Sequence, residues 1–153
     1  MKTMKKVKNT WIVAITFLIA WSCGPLQDPV TLRETQETKQ ATLNLIERSD
    51  TPFSENEEAV SALKTRMENM ETREKNKKKN EITAKMWELL SSDEHLVGSY
   101  LKLWEEKGTV STMFIEQATP QIEEAYDLML LYETKKDKEN KNALTEFINN
   151  LTN

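Results

Sequence analysis

The sequence has little of several residue types that particular folds require. It contains one cysteine, one histidine, three glycines and four prolines in 153 residues. A single cysteine excludes an internal disulfide framework and a cysteine-based zinc site. The scarcity of glycine and proline, beside 38% hydrophobic and 30% charged residues, argues against a β-sandwich, a barrel or a low-complexity chain. The length and composition therefore favour one helical domain.

Motifs that carry catalysis are also scarce. The sequence has no glycine-rich phosphate loop and no G-x-S-x-G motif. His95 has no second histidine at metal-ligand spacing, and the adjacent pairs Glu105–Glu106 and Glu123–Glu124 each point to different sides of a helix. The formal net charge of −4 predicts no nucleic-acid binding by the whole chain. We therefore expect no enzymatic activity, no metal and no cofactor.

The most specific pattern lies at the N-terminus. Residues 1–10 carry four lysines and no acidic residue, and ten residues from Trp11 to Ala20 follow that are apolar except for Thr16. A membrane-spanning helix needs about 20 apolar residues, whereas the apolar region of a secretory signal peptide needs about 7–15. The short apolar run predicts a signal peptide over residues 1–22.

The end of this apolar run resembles a bacterial lipobox. Ala20-Trp21-Ser22-Cys23 places a small residue before a cysteine, although Ala20 stands where leucine is usual and Trp21 is bulkier than the usual residue. The resemblance implies that the Cys23 thiol is diacylglycerated, that signal peptidase II cleaves between Ser22 and Cys23, and that the new N-terminus is acylated. It implies a lipoprotein of the cell envelope, and Gly24 after the cysteine favours the outer membrane over the inner one.

Ordinary secretion is the alternative interpretation. Ala20 and Ser22 also fit the A-x-A-like rule for conventional cleavage at the same bond, which would leave Cys23 unmodified. The protein would then be a soluble periplasmic or secreted helical protein with a ligand-binding or chaperone-like role. Methionine and aromatic side chains at helical spacing would line its groove, although such residues more often form a core. The residues concerned are Met86, Trp87, Trp104, Met113, Tyr126, Met129 and Tyr132.

The mature chain is expected to be all-α, either a small helical bundle or an extended helical hairpin. Cleavage after Ser22 removes four lysines and no acidic residue, so the net charge becomes −8. Residues 23–40 contain two prolines and few apolar side chains, which predicts a lipid-anchored tether, its second half either extended or helical, before a helical domain over 41–153. Thr119-Pro120 predicts a helix boundary, because proline is favoured at the first position of a helix.

One long helix, about residues 55–90, is predicted within this domain. Its first half carries an apolar stripe at steps of three and four, which is available to pair with a partner helix in an unknown envelope protein. The stripe consists of Val60, Leu63, Met67 and Met70. The segment 71–81 has no apolar residue and contains two asparagines, so it is either a solvated part of the same helix or a break in it. The lysines at 75–79 are either an ordinary solvated surface or a contact for anionic lipid head groups.

Overall fold

The computed structural model describes residues 27–153, so the predicted signal peptide, Ser22 and Cys23 lie outside the described residues. The described chain forms six α-helices and a short 3-10 turn, with no strand. The helices are α1 (Pro29–Glu47), α2 (Glu57–Lys75), α3 (Glu81–Ser91), α4 (Leu96–Lys107), α5 (Thr112–Lys135) and α6 (Lys138–Thr152), and the 3-10 turn is Phe53–Glu55. The prediction of an all-α small helical bundle is confirmed.

A single contiguous core joins the helices. The most extensive packing is between α2 and α3 and between α1 and α5, and α6 packs mainly on α5. The largest fully buried side chains come mostly from α2, α3, α4 and α5, and α1 and α6 add Ile46 and Leu144. They include Met67, Met86, Trp87, Leu90, Leu101, Trp104, Tyr126 and Met129.

The apolar stripe of α2 belongs to this core, so its predicted availability to a partner helix is wrong. Val60, Leu63, Met67 and Met70 are at most 4% exposed. The spacing correctly predicted one buried face on a helix, but α1 and α3 of the same chain cover that face. The stripe stabilises the bundle and leaves no surface there for another protein.

The predicted continuous helix over 55–90 is also wrong, because the chain turns at residues 76–80. Helix α2 does extend through the first part of the polar segment, where the Lys75 ammonium lies 2.6 Å from the Glu71 carboxylate. Asn76 and Asn80 then occupy the two helix ends that flank the turn, and Lys79 adopts a left-handed backbone with φ of 63°. Asparagine forms helices poorly, and the Asn80 side chain bonds to Glu74 on α2 and to Lys136 after α5 rather than to the backbone, which holds the chain in this turn. The turn lets α3 fold back onto α2.

The predicted tether over 23–40 is too long, since α1 begins at Pro29. The Asp28 carboxylate caps this helix by accepting hydrogen bonds from the amides of Val30 at 2.9 Å and Thr31 at 3.2 Å. The buried face of α1 consists mostly of threonine, so the sequence lacked the apolar spacing that normally marks a packed helix. These fully buried residues are Thr31, Thr35, Thr38 and Thr42. The helical domain therefore begins near residue 28 rather than residue 41.

Proline 120 lies inside α5 and does not start a new helix, contrary to the prediction from Thr119-Pro120. A proline in a helix lacks the amide that would bond to the carbonyl four residues earlier. The Thr119 hydroxyl donates to the Ile115 carbonyl at 2.6 Å, which provides a side-chain hydrogen bond close to this site. Ile122, Ala125 and Tyr126 follow immediately in the core, so packing holds the helix together across the proline.

Candidate functional site

Three helices begin and two helices end at the same end of the bundle. This end, which we call the basic end, comprises residues 27–28, 73–81 and 132–141. It carries nine lysine or arginine and six acidic side chains, whereas the rest of the described chain carries eight and nineteen. The basic end therefore has a formal charge of +3 and the rest of the described chain has −11. The chain is strongly polarised although its overall charge is negative.

A cleft of about 510 Å³ opens at the basic end. Its walls come from the start of α1, the turn between α2 and α3, and the end of α5. The lining residues are Gln27, Asp28, Pro29, Lys77, Lys78, Lys79, Asn80, Tyr132, Glu133 and Lys136. The Gln27 side-chain amide donates to the backbone carbonyl of Thr134, which ties the residue before α1 to the end of α5.

Beneath the cleft lies the fully buried carboxylate of Glu74. It accepts a hydrogen bond from the Thr31 hydroxyl at 2.7 Å and pairs with the Lys77 ammonium at 2.6 Å. The Asn80 side-chain amide donates to its other oxygen. A buried carboxylate is costly unless it is paired and hydrogen-bonded. Because these partners come from α1 and from the turn after α2, Glu74 joins those segments and fixes the floor of the cleft.

A second buried carboxylate, Glu133, lies nearby on α5. It accepts from the Thr83 hydroxyl and pairs with the Lys136 ammonium at 2.5 Å. That ammonium also donates to the Asn80 amide oxygen at 3.0 Å and lies 4.6 Å from the centre of the Tyr132 ring. The second oxygen of Glu133 has no hydrogen-bond partner among the described residues. Asn80 therefore links the two carboxylates, since it contacts Glu74 directly and Glu133 through Lys136.

Asp28 adds a third carboxylate, at the rim of the cleft. Its second oxygen lies 2.6 Å from the Lys77 ammonium and 3.0 Å from the Arg73 guanidinium. Partial burial acts to raise the pKa of Asp28, but these two cations and the amides of Val30 and Thr31 outweigh it and hold the pKa well below its usual value. Asp28 therefore stays ionised at neutral pH and holds the start of α1 against the turn.

Five lysines of the basic end are not part of these internal pairs. All five are exposed, and none forms an ion pair with a carboxylate among residues 27–153. They are Lys78, Lys79, Lys135, Lys138 and Lys141. The exposed acidic residues nearby are Glu81, Asp137 and Glu139, and Asp137 is engaged in capping α6 by accepting from the Asn140 amide at 2.8 Å. The outer surface of this end therefore presents more positive than negative charge.

The other end of the bundle is built from aromatic side chains. We call it the aromatic end; it comprises the turn 48–56, helix α4 and residues 108–115. Phe53 contacts Trp104 edge-on with ring centres 5.5 Å apart, and Tyr100 stacks on Phe114 at 5.7 Å. The Trp104 indole donates to the Thr51 carbonyl at 3.1 Å. A groove of about 740 Å³ beside it is lined by Phe53, Glu57, Lys64, Glu68 and Glu105, among others.

The acidic and histidine residues considered from the sequence do not form one site. His95 precedes α4 and makes no side-chain capping bond, and Glu105 lines the groove at the aromatic end. Glu123 lies on α5, where its carboxylate is 3.1 Å from the Lys39 ammonium on α1. Within residues 27–153, no three histidine, cysteine, aspartate or glutamate side chains are grouped so that they could hold a metal ion.

The methionine and aromatic residues proposed for a ligand groove are core residues, with one exception. Met86, Trp87, Trp104, Tyr126, Met129 and Tyr132 are buried. Met113 is 69% exposed at the start of α5, next to Phe114 at 39%. The spacing of these residues therefore marked the interior of the bundle, and only a small apolar surface remains outside it.

Several features of the basic end were missed from the sequence. The lysines at 75–79 form a visible run in the sequence, but those at 135–141 lie about 60 residues away in the sequence and join them only after folding. The run Lys135-Lys136-Asp137-Lys138 between α5 and α6 was the available signal. Nothing in the sequence distinguished Glu74 and Glu133 from solvated acidic residues.

None of the helices in the described part of the chain combines the length and hydrophobicity needed to cross a bilayer. Comparison with known protein families, with curated proteins and with solved structures finds no match for this chain.

Proposed function

We propose that the protein is an exported bacterial lipoprotein, held in the cell envelope by acyl chains on Cys23. It acts without catalysis, through contacts with another envelope protein, and the outer membrane is its favoured location. One observation carries this proposal: the only cysteine of the chain directly follows Ala20-Trp21-Ser22 at the end of a ten-residue apolar run. Two or three acyl chains anchor a protein stably, whereas one chain does so only marginally.

The position of the helical domain limits how far the bundle could lie from an anchor at Cys23. Asp28 caps α1, so only four residues separate it from Cys23. Even a fully extended chain gains no more than about 3.6 Å per residue, so this linker spans at most about 18 Å. An acylated Cys23 would hold the bundle close to the bilayer surface, and the protein would meet its partners there.

Detergent phase partition and intact mass of the purified protein test the anchor. We expect the wild type to enter the detergent phase and to carry the added mass of acyl chains, and the Cys23→Ser variant to lose both properties. A matched control adds Ser61→Cys, an exposed position on α2, to the Cys23→Ser variant. This control restores a thiol without restoring the cleavage site, so it should stay in the aqueous phase. Wild-type protein of unmodified mass in the aqueous phase would overturn the proposal.

A soluble periplasmic or secreted protein with Cys23 unmodified is the second candidate. It is favoured by the exposed Met113 and Phe114, the second of which lines a small cavity of about 130 Å³ together with Tyr100 and Ile122. Methionine and aromatic side chains suit adaptable apolar contacts with a ligand or an unfolded segment. The intact mass separates the two candidates, since this one requires a mature chain without acyl groups.

A further inference from the structure

We infer that the basic end docks onto an anionic lipid surface, so that the bundle stands on the membrane with its aromatic end pointing away. The inference deepens the proposed function and rests on it in one respect, because an anchor at Cys23 would hold this end at the membrane. The charge distribution and the free lysines support it independently of the anchor.

Positive and negative charge are separated along the bundle. The basic end has a formal charge of +3 and the remainder of the described chain has −11. A negatively charged surface attracts the first and repels the second, so it both binds the protein and orients it. This attraction falls off within about 10 Å at moderate salt, so only the lysines that reach the surface contribute.

The lysines of the basic end fall into two groups, those in internal ion pairs and those without a carboxylate partner among the described residues. Lys77 and Lys136 are held by buried carboxylates and stabilise the fold. Lys78 and Lys79, at the turn between α2 and α3, are exposed and have no carboxylate partner among the described residues. The same is true of Lys135, Lys138 and Lys141 around the start of α6. These side chains are free to reach head-group phosphates without loss of an internal ion pair.

The described chain enters the bundle at this same end. Gln27 bonds to the end of α5 and Asp28 to Lys77, so the linker from Cys23 arrives beside the free lysines. An acylated Cys23 would bring these lysines to the bilayer. A second attachment of this kind raises the membrane affinity of a charge cluster, because it keeps the cluster close to the surface.

A lipid surface fits the basic end better than a nucleic acid does. Binding of single strands relies on exposed aromatic side chains on which bases stack. Tyr132 is the aromatic residue of this end; it is 7% exposed, and the Lys136 ammonium lies over its ring. The lysines cover the end of a bundle, which is a shape that meets a flat surface.

Vesicle co-sedimentation tests the inference with the mature polypeptide that starts at residue 23 and carries Cys23→Ser. This chain contains every described helix and cannot be acylated, so its result is independent of the anchor. We expect binding to vesicles that contain phosphatidylglycerol, little binding to phosphatidylcholine alone, and weaker binding as salt rises. Lys78→Gln with Lys79→Gln should weaken binding by about tenfold or more.

The matched control is Lys102→Gln with Lys107→Gln on α4, which removes the same charge from two exposed lysines at the aromatic end. It should change binding by less than about twofold, and circular dichroism should show that both variants keep the wild-type helicity. Equal binding to both vesicle types, no binding to either, or equal losses in the two variants would overturn the inference.

Two competitors identify other ligands. Inorganic phosphate that displaces the protein at low concentration would indicate a site for the free anion, and tighter binding to a single-stranded oligonucleotide would indicate a nucleic-acid site; either overturns docking on lipid. Because acylation is measured separately by mass, an unmodified Cys23 beside binding to anionic vesicles would refute the anchor alone. An acylated Cys23 beside no vesicle binding would refute only the docking surface.

Discussion

The two ends of the bundle are closed by different interactions. The aromatic end is closed by two pairs of rings, Phe53 with Trp104 and Tyr100 with Phe114. The basic end is closed by buried or partly buried carboxylates that pair with lysines and an arginine. Contacts between aromatic rings do not depend on ionisation, whereas the pairs at the basic end do. We therefore expect the two ends to respond differently to pH and salt.

This difference shows how a small bundle can combine stability with a charged surface. Buried ion pairs generally contribute less to stability than apolar packing of similar volume, because each charge loses its hydration. The basic end contains such pairs in the same segments that carry its exposed lysines. The internal carboxylates fix the segments that carry those lysines, while the aromatic end supplies apolar burial.

The largest effect is expected for Trp104→Ala. The indole is fully buried, donates to the Thr51 carbonyl and packs on Phe53, so its removal leaves a large cavity and an unpaired carbonyl. We expect the free energy of unfolding, measured by urea denaturation, to fall by about 3–5 kcal/mol. Met113→Ala, at an exposed position on α5, is the control and should cost less than about 0.5 kcal/mol. Similar costs for the two variants would contradict the role assigned to the aromatic end.

A smaller loss is expected for Glu74→Ala at the basic end. The substitution leaves Lys77 and the Thr31 hydroxyl without their shared partner, and breaking a buried pair costs several kcal/mol. Lys77 would still pair with Asp28 and contact water, so we expect the free energy of unfolding in the same urea experiment to fall by only about 2–3 kcal/mol. Glu68→Ala, an exposed position on the same helix, is the matched control. A loss as small as that control's would show that Glu74 does not fix this end.

The pH dependence of Asp28→Asn separates charge from capping. Asparagine also caps helices well, so this substitution mainly removes the charge that faces Lys77 and Arg73. The folded pKa of Asp28 lies below its unfolded value of about 3.9, so its stabilisation is present above that pH and is lost as the pH falls below it. At neutral pH we expect the free energy of unfolding of the wild type to be about 1 kcal/mol higher than that of the variant.

Urea denaturation at a series of pH values measures this difference. The gap between wild type and Asp28→Asn should narrow steadily as the pH falls below about 4. A gap that stays constant over that range would assign the effect to capping rather than to charge.

The smallest effect is expected for Lys78→Gln with Lys79→Gln. These side chains have no ion pair among the described residues, so their removal should change the free energy of unfolding by less than about 0.5 kcal/mol. Lys77→Gln is the neighbouring control, and it should cost clearly more because it removes contacts with Asp28, Thr31 and Glu74. A large loss from the double variant would place Lys78 and Lys79 among the stabilising lysines and remove the distinction between the two groups.

Much of the fold could be predicted from local pattern. The spacing of Val60, Leu63, Met67 and Met70 correctly indicated a buried helix face, because apolar periodicity reports burial directly. It could not show that the covering helices belong to the same chain. The start of α1 and the continuity of α5 through Pro120 were missed, since packing overrides a threonine-rich face and an internal proline.

The basic end was only partly predictable. The lysines at 75–79 are adjacent in the sequence and were visible there, whereas their proximity to Lys135, Lys138 and Lys141 depends on where α5 ends. The burial of Glu74 depends on the turn at residues 76–80, which sets the partners around it. No periodic pattern in the sequence indicates which charged side chains come together in the folded protein, so this arrangement is seen only in the structure.

The threonine face of α1 has a consequence for how the domain opens. Thr31, Thr35, Thr38 and Thr42 bury little apolar surface, and the Thr35 hydroxyl has no partner among the described residues. Segments with few buried apolar contacts open at a lower free energy than the rest of a protein. Amide hydrogen exchange should therefore be faster along α1 than along α3 and α4. A pull on the N-terminus would detach the threonine-faced part of α1 first, while Leu45 and Ile46 keep the end of α1 packed in the core.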